Sequence, residues 1–222
     1  MGETGGITGR STPQSLPYAL PVGSPTVQER VLEGTLVCIG RYGLARTTVD
    51  DVAQASGVSR ATIYRHFPGG REQLVADTVA WETGRFFTRL GQAVAAAPDL
   101  CRLLEEALTF ARKALAEHAV FQRVVQVEPE RLLPLLTVDV LRILPMISGF
   151  LEPYLDRERQ AGRLRAGVDA RGTADYVARM VLSCIGASGV YDLDDPADVR
   201  VLVREQLLAG VLSPGAILPQ RP

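Results

Sequence analysis

Histidine and cysteine are scarce in this sequence and lysine is nearly missing: two histidines, three cysteines and, in Lys113, one lysine among 222 residues. With only His66 and His118, no Ser-His-Asp ordering and no phosphate-cradling glycine loop, little is available for an active site, and the chain is not expected to be an enzyme. Cys38, Cys101 and Cys184 lie far apart, with no C-x-x-C pair and no neighbouring histidine. That excludes zinc sites of the usual spacing, and neither metal nor cofactor is expected. Each thiol sits in an apolar helical stretch, where a small buried hydrophobe is the ordinary role and a redox sensor the alternative. No apolar run approaches the ~20 residues of a membrane-spanning helix. The opening MGETGGITGRSTPQSLPYALPVG lacks the basic region and apolar block of a secretory signal, so a cytoplasmic protein without a membrane partner is expected. An excess of positive charge is missing too, the formal net charge being −1. Any nucleic acid must then be held by the placement of a few cations, since the phosphate contribution scales with their number.

What is present centres on Thr47 to Leu74, which reads as helix, turn, helix. Thr48 caps the first helix, with Asp51 reaching back in a short-armed capping box, and Asp50 and Asp51 suit the positive end of the helix dipole. Val49, Val52 and Ala53 form its buried face, and Gly57 stands where a left-handed residue ends a helix near Ser56. Val58 plugs the turn and Ser59 caps a second helix from Arg60 to about Phe67. Ile63 and Phe67 face inward. Ser59, Arg60, Thr62, Tyr64, Arg65 and His66 remain outward, a set of donors on a short stiff helix, as reading base edges in a major groove requires. Pro68, Gly69 and Gly70 end it, and Arg71 opens the next helix, where N–H groups and a cation together suit a phosphate. Ahead of this pair, Val27, Val31, Leu32, Leu36 and Ile39 predict an amphipathic helix closed by Gly40 and Gly43, with Tyr42 and Leu44 completing the core of a three-helix head.

The run Thr47-Thr48-Val49, Ala53, Ser56-Gly57-Val58-Ser59, Thr62-Ile63-Tyr64-Arg65-His66-Phe67 and Arg71-Glu72-Gln73-Leu74 resembles the DNA-binding signature of tetracycline-repressor (TetR) family regulators. The resemblance covers about residues 27 to 75, with arginine at position 71 where the family often has lysine. It implies an all-α chain: an N-terminal three-helix helix-turn-helix head and a larger C-terminal helical domain for ligand binding and dimerisation. In this family the helix after the head joins head to body.

The expected division is a disordered extension over 1–25, the DNA-binding head over 26–72, the ligand-binding and dimerisation domain over 73–215 and a tail over 216–222. Within the extension, Arg10 is either a minor-groove arm or part of a solvated tail. In the body, a long helix runs from Gly70 towards Pro98, and Asp99 caps another carrying Leu100, Leu103, Leu104, Leu108, Ala111 and Leu115. Val120 to Val127 is a short helix, and the prolines of EPERLLPLL predict a kinked connection. Pro145 and Pro153 are expected to interrupt the helix that follows. Room beside those kinks suggests a pocket of Trp81, Phe110, Phe121, Val125, Leu141, Met146, Phe150, Tyr154 and Tyr176, with Gln126 and Glu128 as polar groups; plain core packing is the alternative for each. Two last helices, about 170–188 and 196–212, present Met180, Cys184, Ala187, Val199, Leu202, Val203 and Leu207. By resemblance, a second copy of the chain covers them.

The expectation is a ligand-responsive homodimeric transcriptional regulator, a repressor as is most frequent in the family. Its partners would be double-stranded DNA with a palindromic operator, a second copy, and a small apolar or amphipathic effector. Arg60, Thr62, Tyr64 and Arg65 would face bases, with Thr48, His66 and Arg71 on phosphates. The alternative is a helical small-molecule binding protein whose head no longer binds DNA.

Overall fold

The computed structural model describes residues 24–186 and 189–217; the expected disorder of the N-terminal extension and the position of Arg10 lie outside these residues. The first three helices are α1 (Val27–Tyr42), α2 (Val49–Ser56) and α3 (Arg60–His66), and α4 (Gly70–Val94) leads out of them. Thr26 closes a capping box with Glu29 at the start of α1, and Thr48 does the same with Asp51 at the start of α2. Gly57 ends α2 at φ 65°, the left-handed conformation that glycine adopts without a Cβ penalty. Val31, Leu32, Val49, Val52, Val58, Ile63, Phe67 and Leu74 then close on one another as the head's core, with Trp81 packed beside them. Tyr42, expected in that core, is 40% exposed at the end of α1, and Leu44 alone turns inward.

The body continues with α5 (Leu100–Glu117), α6 (Ala119–Val127), α7 (Pro129–Gln160), α8 (Ala170–Gly186) and α9 (Pro196–Val201), which runs into a π-helical segment, Leu202–Leu207. A last short helix is α10 (Pro214–Ile217), and the chain pairs as a strand only at an isolated antiparallel bridge of Leu164 with Leu212 among the described residues. No helix of the described residues is long and apolar enough to cross a membrane.

Two expectations about the prolines fail. Glu128 to Leu136 is no kinked connection, since Pro129 starts α7 and the helix continues through Pro145 and Pro153. Proline at a first helical position loses no bond, and Pro145 and Pro153 both sit on the exposed side, where solvent can satisfy the carbonyls they leave open. The final helix also differs: it widens into the π-helical segment, ends at Leu207 and folds back into its own chain. Arg204 Nε meets Glu105 Oε1 of α5 at 2.7 Å and its Nη1 donates to Ile217 O at 2.5 Å. Val199, Leu202, Val203 and Leu207 are accordingly between 0% and 8% exposed, in one core cluster with α5, α7 and α8. They are interior residues and cannot cover a partner. Met180 and Cys184 of the same expected face are half-buried on α8, and Ala187 lies outside the described residues.

Head and body meet twice. One link is α4 itself. The other is the α6–α7 junction, where the Glu128 carboxylate accepts the Ala45 N–H at 3.0 Å. Gly43, at φ 87°, lies so close to that carboxylate that a Cβ there would collide with it. Ile39, Leu44, Val75 and Val124 form a small apolar cluster at this junction. Nearby, His118 Nδ1 accepts the Phe121 N–H at 3.1 Å, capping α6, while Nε2 lies 3.3 Å from Glu82 Oε1 of α4. Burial opposes the charged form of Glu82. The bond from His118 and the charges of Arg85, His118 and Arg89 outweigh it and hold the carboxyl below its ordinary 4.5. A carboxyl depressed on folding adds stability above its unfolded value and loses it as pH falls through the folded one. The stability gap between wild type and Glu82→Gln should therefore be widest near neutral pH and close as pH falls below 4.5, read from thermal melts across pH; a constant gap would count against this linkage.

Candidate nucleic-acid interface and internal cavity

The two ends of α3 are fastened locally. Ser59 Oγ accepts the Thr62 N–H at 3.3 Å and donates to Thr62 Oγ1 at 3.1 Å, and the Phe67 N–H closes the last turn on Ile63 O at 2.8 Å. Ile63 is fully buried, whereas Arg60, Tyr64 and Arg65 are exposed and Thr62 and His66 half-buried. The structure thus brings Ser59, Arg60, Thr62, Tyr64, Arg65 and His66 to one short rod on the surface, as the spacing predicts. Arg60 Nε is 2.9 Å from Asp50 Oδ1 at the start of α2. The Tyr64 ring lies close over Gly70, where an added Cβ would sit 3.5 Å from Cε1.

Two expected phosphate contacts have other work in this structure. The Thr48 hydroxyl gives its one proton to Asp51 Oδ2 at 2.5 Å and accepts the Asp51 N–H at 3.2 Å. Arg71 donates from Nε to Thr47 O at 2.8 Å, from Nη1 to Glu72 Oε1 at 2.9 Å, and from Nη2 to Leu44 O and to Ala45 O at 3.1 Å. Its guanidinium is a clamp on the loop between α1 and α2, and four of its five donors are occupied there. Sequence spacing places a cation at a helix start but does not reveal that three backbone carbonyls curl towards it. Arg71→Ala should lower stability by about 2–3 kcal/mol, read from denaturant midpoints, because partly buried carbonyls lose charged donors. Arg71→Lys should recover only part of this, as a point charge cannot span the three carbonyls; full recovery would contradict the clamp.

The body holds an apolar cavity of about 50 Å³ between α4, α5, α7 and α8, walled among others by Phe87, Leu90, Leu104, Met146, Phe150 and Ile185. Of the expected pocket residues, Met146 and Phe150 line it. Tyr154 is buried one turn away, its ring 5.4 Å from that of Phe150 and covered by the Arg157 guanidinium at 4.4 Å. Trp81 packs against the head under Arg85, Phe110 against Phe86, and Phe121 at the head–body junction. Val125 and Tyr176 are 40% and 42% exposed, and the side chain of Leu141 lies outside those described. Glu128, expected as a polar group of the pocket, serves the head instead. The void opens where four helices converge, against the inner side of α7, while Pro145 and Pro153 are on its exposed side. Burial pushes the Cys101 thiol up to about 11 and also raises Cys38 and Cys184, which keeps all three in the less reactive protonated form at neutral pH.

Residues 31–78 match the sequence profile of the bacterial regulatory proteins, tetR family. An uncharacterized HTH-type transcriptional regulator of Mycobacterium tuberculosis is 38% identical over 52 residues, 23% of this chain and 27% of that protein. The match therefore spans about a quarter of that relative's length. Over most of the chain the fold is similar to that of the fatty acid degradation regulator FadR from Bacillus halodurans, with 20% identity, a TM-score of 0.57, and 82% of this chain and 96% of that one covered. It is likewise similar to the TetR family repressor AlkX from Dietzia sp., implicated in biodegradation of n-alkanes, with 21% identity, a TM-score of 0.55, and 84% and 98% covered. At such identities the likeness is one of fold, an all-helical body behind a helix-turn-helix head. Profile and relative agree with the capped and outward-facing α3: residues 31–78 are similar to the helix-turn-helix region of the tetR family of bacterial regulatory proteins.

Proposed function

We propose that this chain is a ligand-responsive transcriptional repressor that acts in the cytoplasm as a homodimer on a near-palindromic operator, with 26–72 as its DNA-binding head and 73–215 as its effector and dimerisation domain. The observation that carries the reading is α3: a rod with a buried inner side and with Arg60, Tyr64 and Arg65 in solvent. Those side chains, with Thr62, would meet base edges, while Ser59 and His66 flank them towards the backbone.

A second copy fits the outer side of α7 and α8. Pro145, Gly149 and Pro153 recur every fourth residue on the exposed side of α7, and an added Cβ at Gly149 would meet nothing within 4 Å. Small and ring side chains in such a stripe let another helix approach closely, and Tyr176 and Met180 of α8 add apolar area. The effector is a small molecule whose buried part is apolar, since the walls of the cavity are apolar side chains. At about 50 Å³ the void is well below the roughly 300–1,000 Å³ of ligand sites, so an effector must push the helices apart to enter. Binding that favours the parted arrangement would shift the spacing of the two heads and release DNA. FadR is a fatty acid degradation regulator and AlkX is implicated in biodegradation of n-alkanes, which supports an effector with a long apolar part.

Selection from a pool of random duplexes should enrich a near-palindrome with half-sites about one helical turn, ~34 Å, apart. Arg65→Ala should weaken the selected site roughly tenfold more than an unrelated duplex, measured by gel shift, because a base contact carries about 1–3 kcal/mol of discrimination. Equal losses on both duplexes would remove Arg65 from base reading.

A further inference from the structure

Arg60 opens α3, and Asp50 lies in the first turn of α2, so their 2.9 Å ion pair joins the two helices of the turn at their N-terminal ends. Both side chains stay open to water, 62% and 65% exposed. An exposed pair of this kind contributes little to folding, so bracing the head does not explain it. The head already has its core, the Thr48 and Ser59 caps and the Arg71 clamp. The pair's shortest approach is at Nε, the inner nitrogen of the guanidinium, behind the Nη1–Nη2 end of the fork.

We infer that Asp50 is a positioning residue for DNA reading: it holds Arg60 so that its terminal nitrogens donate side by side to O6 and N7 of one guanine in each half-site. This rests on the proposed docking of α3 in the major groove. Guanine is the base whose major-groove edge offers two acceptors to a planar fork. An arginine on a flexible stem must otherwise lose its rotamer freedom on binding, and Asp50 removes part of that freedom beforehand. Docking also strips water from the pair and strengthens it, since attraction rises as the surrounding dielectric falls.

The same carboxylate has an opposite effect on affinity. A negative charge beside the phosphates weakens binding to every duplex alike. Asp50 therefore trades general affinity for discrimination at one base pair, and these two effects are separately measurable. The neighbouring Asp51 is no substitute, because it is engaged by the hydroxyl and backbone of Thr48.

The test uses the full-length protein, a pool of random duplexes and sequencing of bound fractions for wild type, Asp50→Asn, Arg60→Ala and the double variant. Asparagine keeps the size of Asp50 and leaves the Thr48 cap intact, so the head should fold. Wild type should enrich guanine at one position per half-site, and Arg60→Ala should lose that preference alone. Asp50→Asn should cut it roughly tenfold while binding an unrelated duplex as tightly as wild type or more so, and should change nothing further once Arg60 is absent. If Asp50→Asn tightens binding to all duplexes with the guanine preference intact, Asp50 is a repulsive charge only and the inference falls. It also falls if Arg60→Ala selects the same bases as wild type. If wild type itself enriches no sequence, the regulator reading beneath it fails, and this inference with it.

Discussion

Everything at the candidate interface depends on a helix too short to exist by itself. α3 has seven residues, whereas isolated helices below about 12–15 residues are marginal in water. Its shape is borrowed from Ile63 and Phe67, which are 0% and 3% exposed among side chains of α1, α2 and α4. Gly57 sets the angle of the turn in front of it, and Arg30 Nη2 ties α1 to the end of α2 through Ser56 O at 3.0 Å. The stiffness that the outward side chains need is thus the stiffness of the small apolar core behind them.

That arrangement also explains how a chain of net charge −1 can present a basic face at all. The head's arginines are divided between construction and presentation. Arg30 and Arg71 donate to backbone carbonyls across the head, and Arg46 donates to Tyr42 O at 3.2 Å within its own loop. Arg60 is held by Asp50, and Arg65 stands exposed on the same rod. Long-range attraction to phosphate would be correspondingly thin, and the selectivity proposed for α3 would rest on a few oriented groups.

The head was legible in the sequence because its rules are local. A cap, a turn glycine and a three-to-four-residue apolar spacing each act within one or two turns, and Thr48, Gly57, Ser59, Ile63 and Phe67 all occupy the places those rules assign. The body was legible only as helices. Whether Val199 and Val203 face a partner or an interior depends on where the chain returns, and the Arg204–Glu105 pair, 99 residues apart in sequence, decides it. An apolar stripe looks the same in both cases. The prolines of α7 misled for a related reason: their cost depends on which side of the helix meets water, which periodicity in the surrounding residues does not settle. Arg71 and Glu128 escaped because each acts on backbone groups far off in the chain, and backbone atoms leave no mark on a residue pattern.

The Glu128 contact gives the molecule a property that α4 alone would not. A rod fixed to a block at one place permits swivelling about its own axis, but a second pin set off that axis removes the swivel. The carboxylate on Ala45 is such a pin, planted at the start of α7. Met146 and Phe150 lie on the same helix, the nearer about 27 Å further along at roughly 1.5 Å rise per residue. The wall of the cavity and the grip on the loop between α1 and α2 are therefore parts of one continuous helix, with no joint of irregular chain between them.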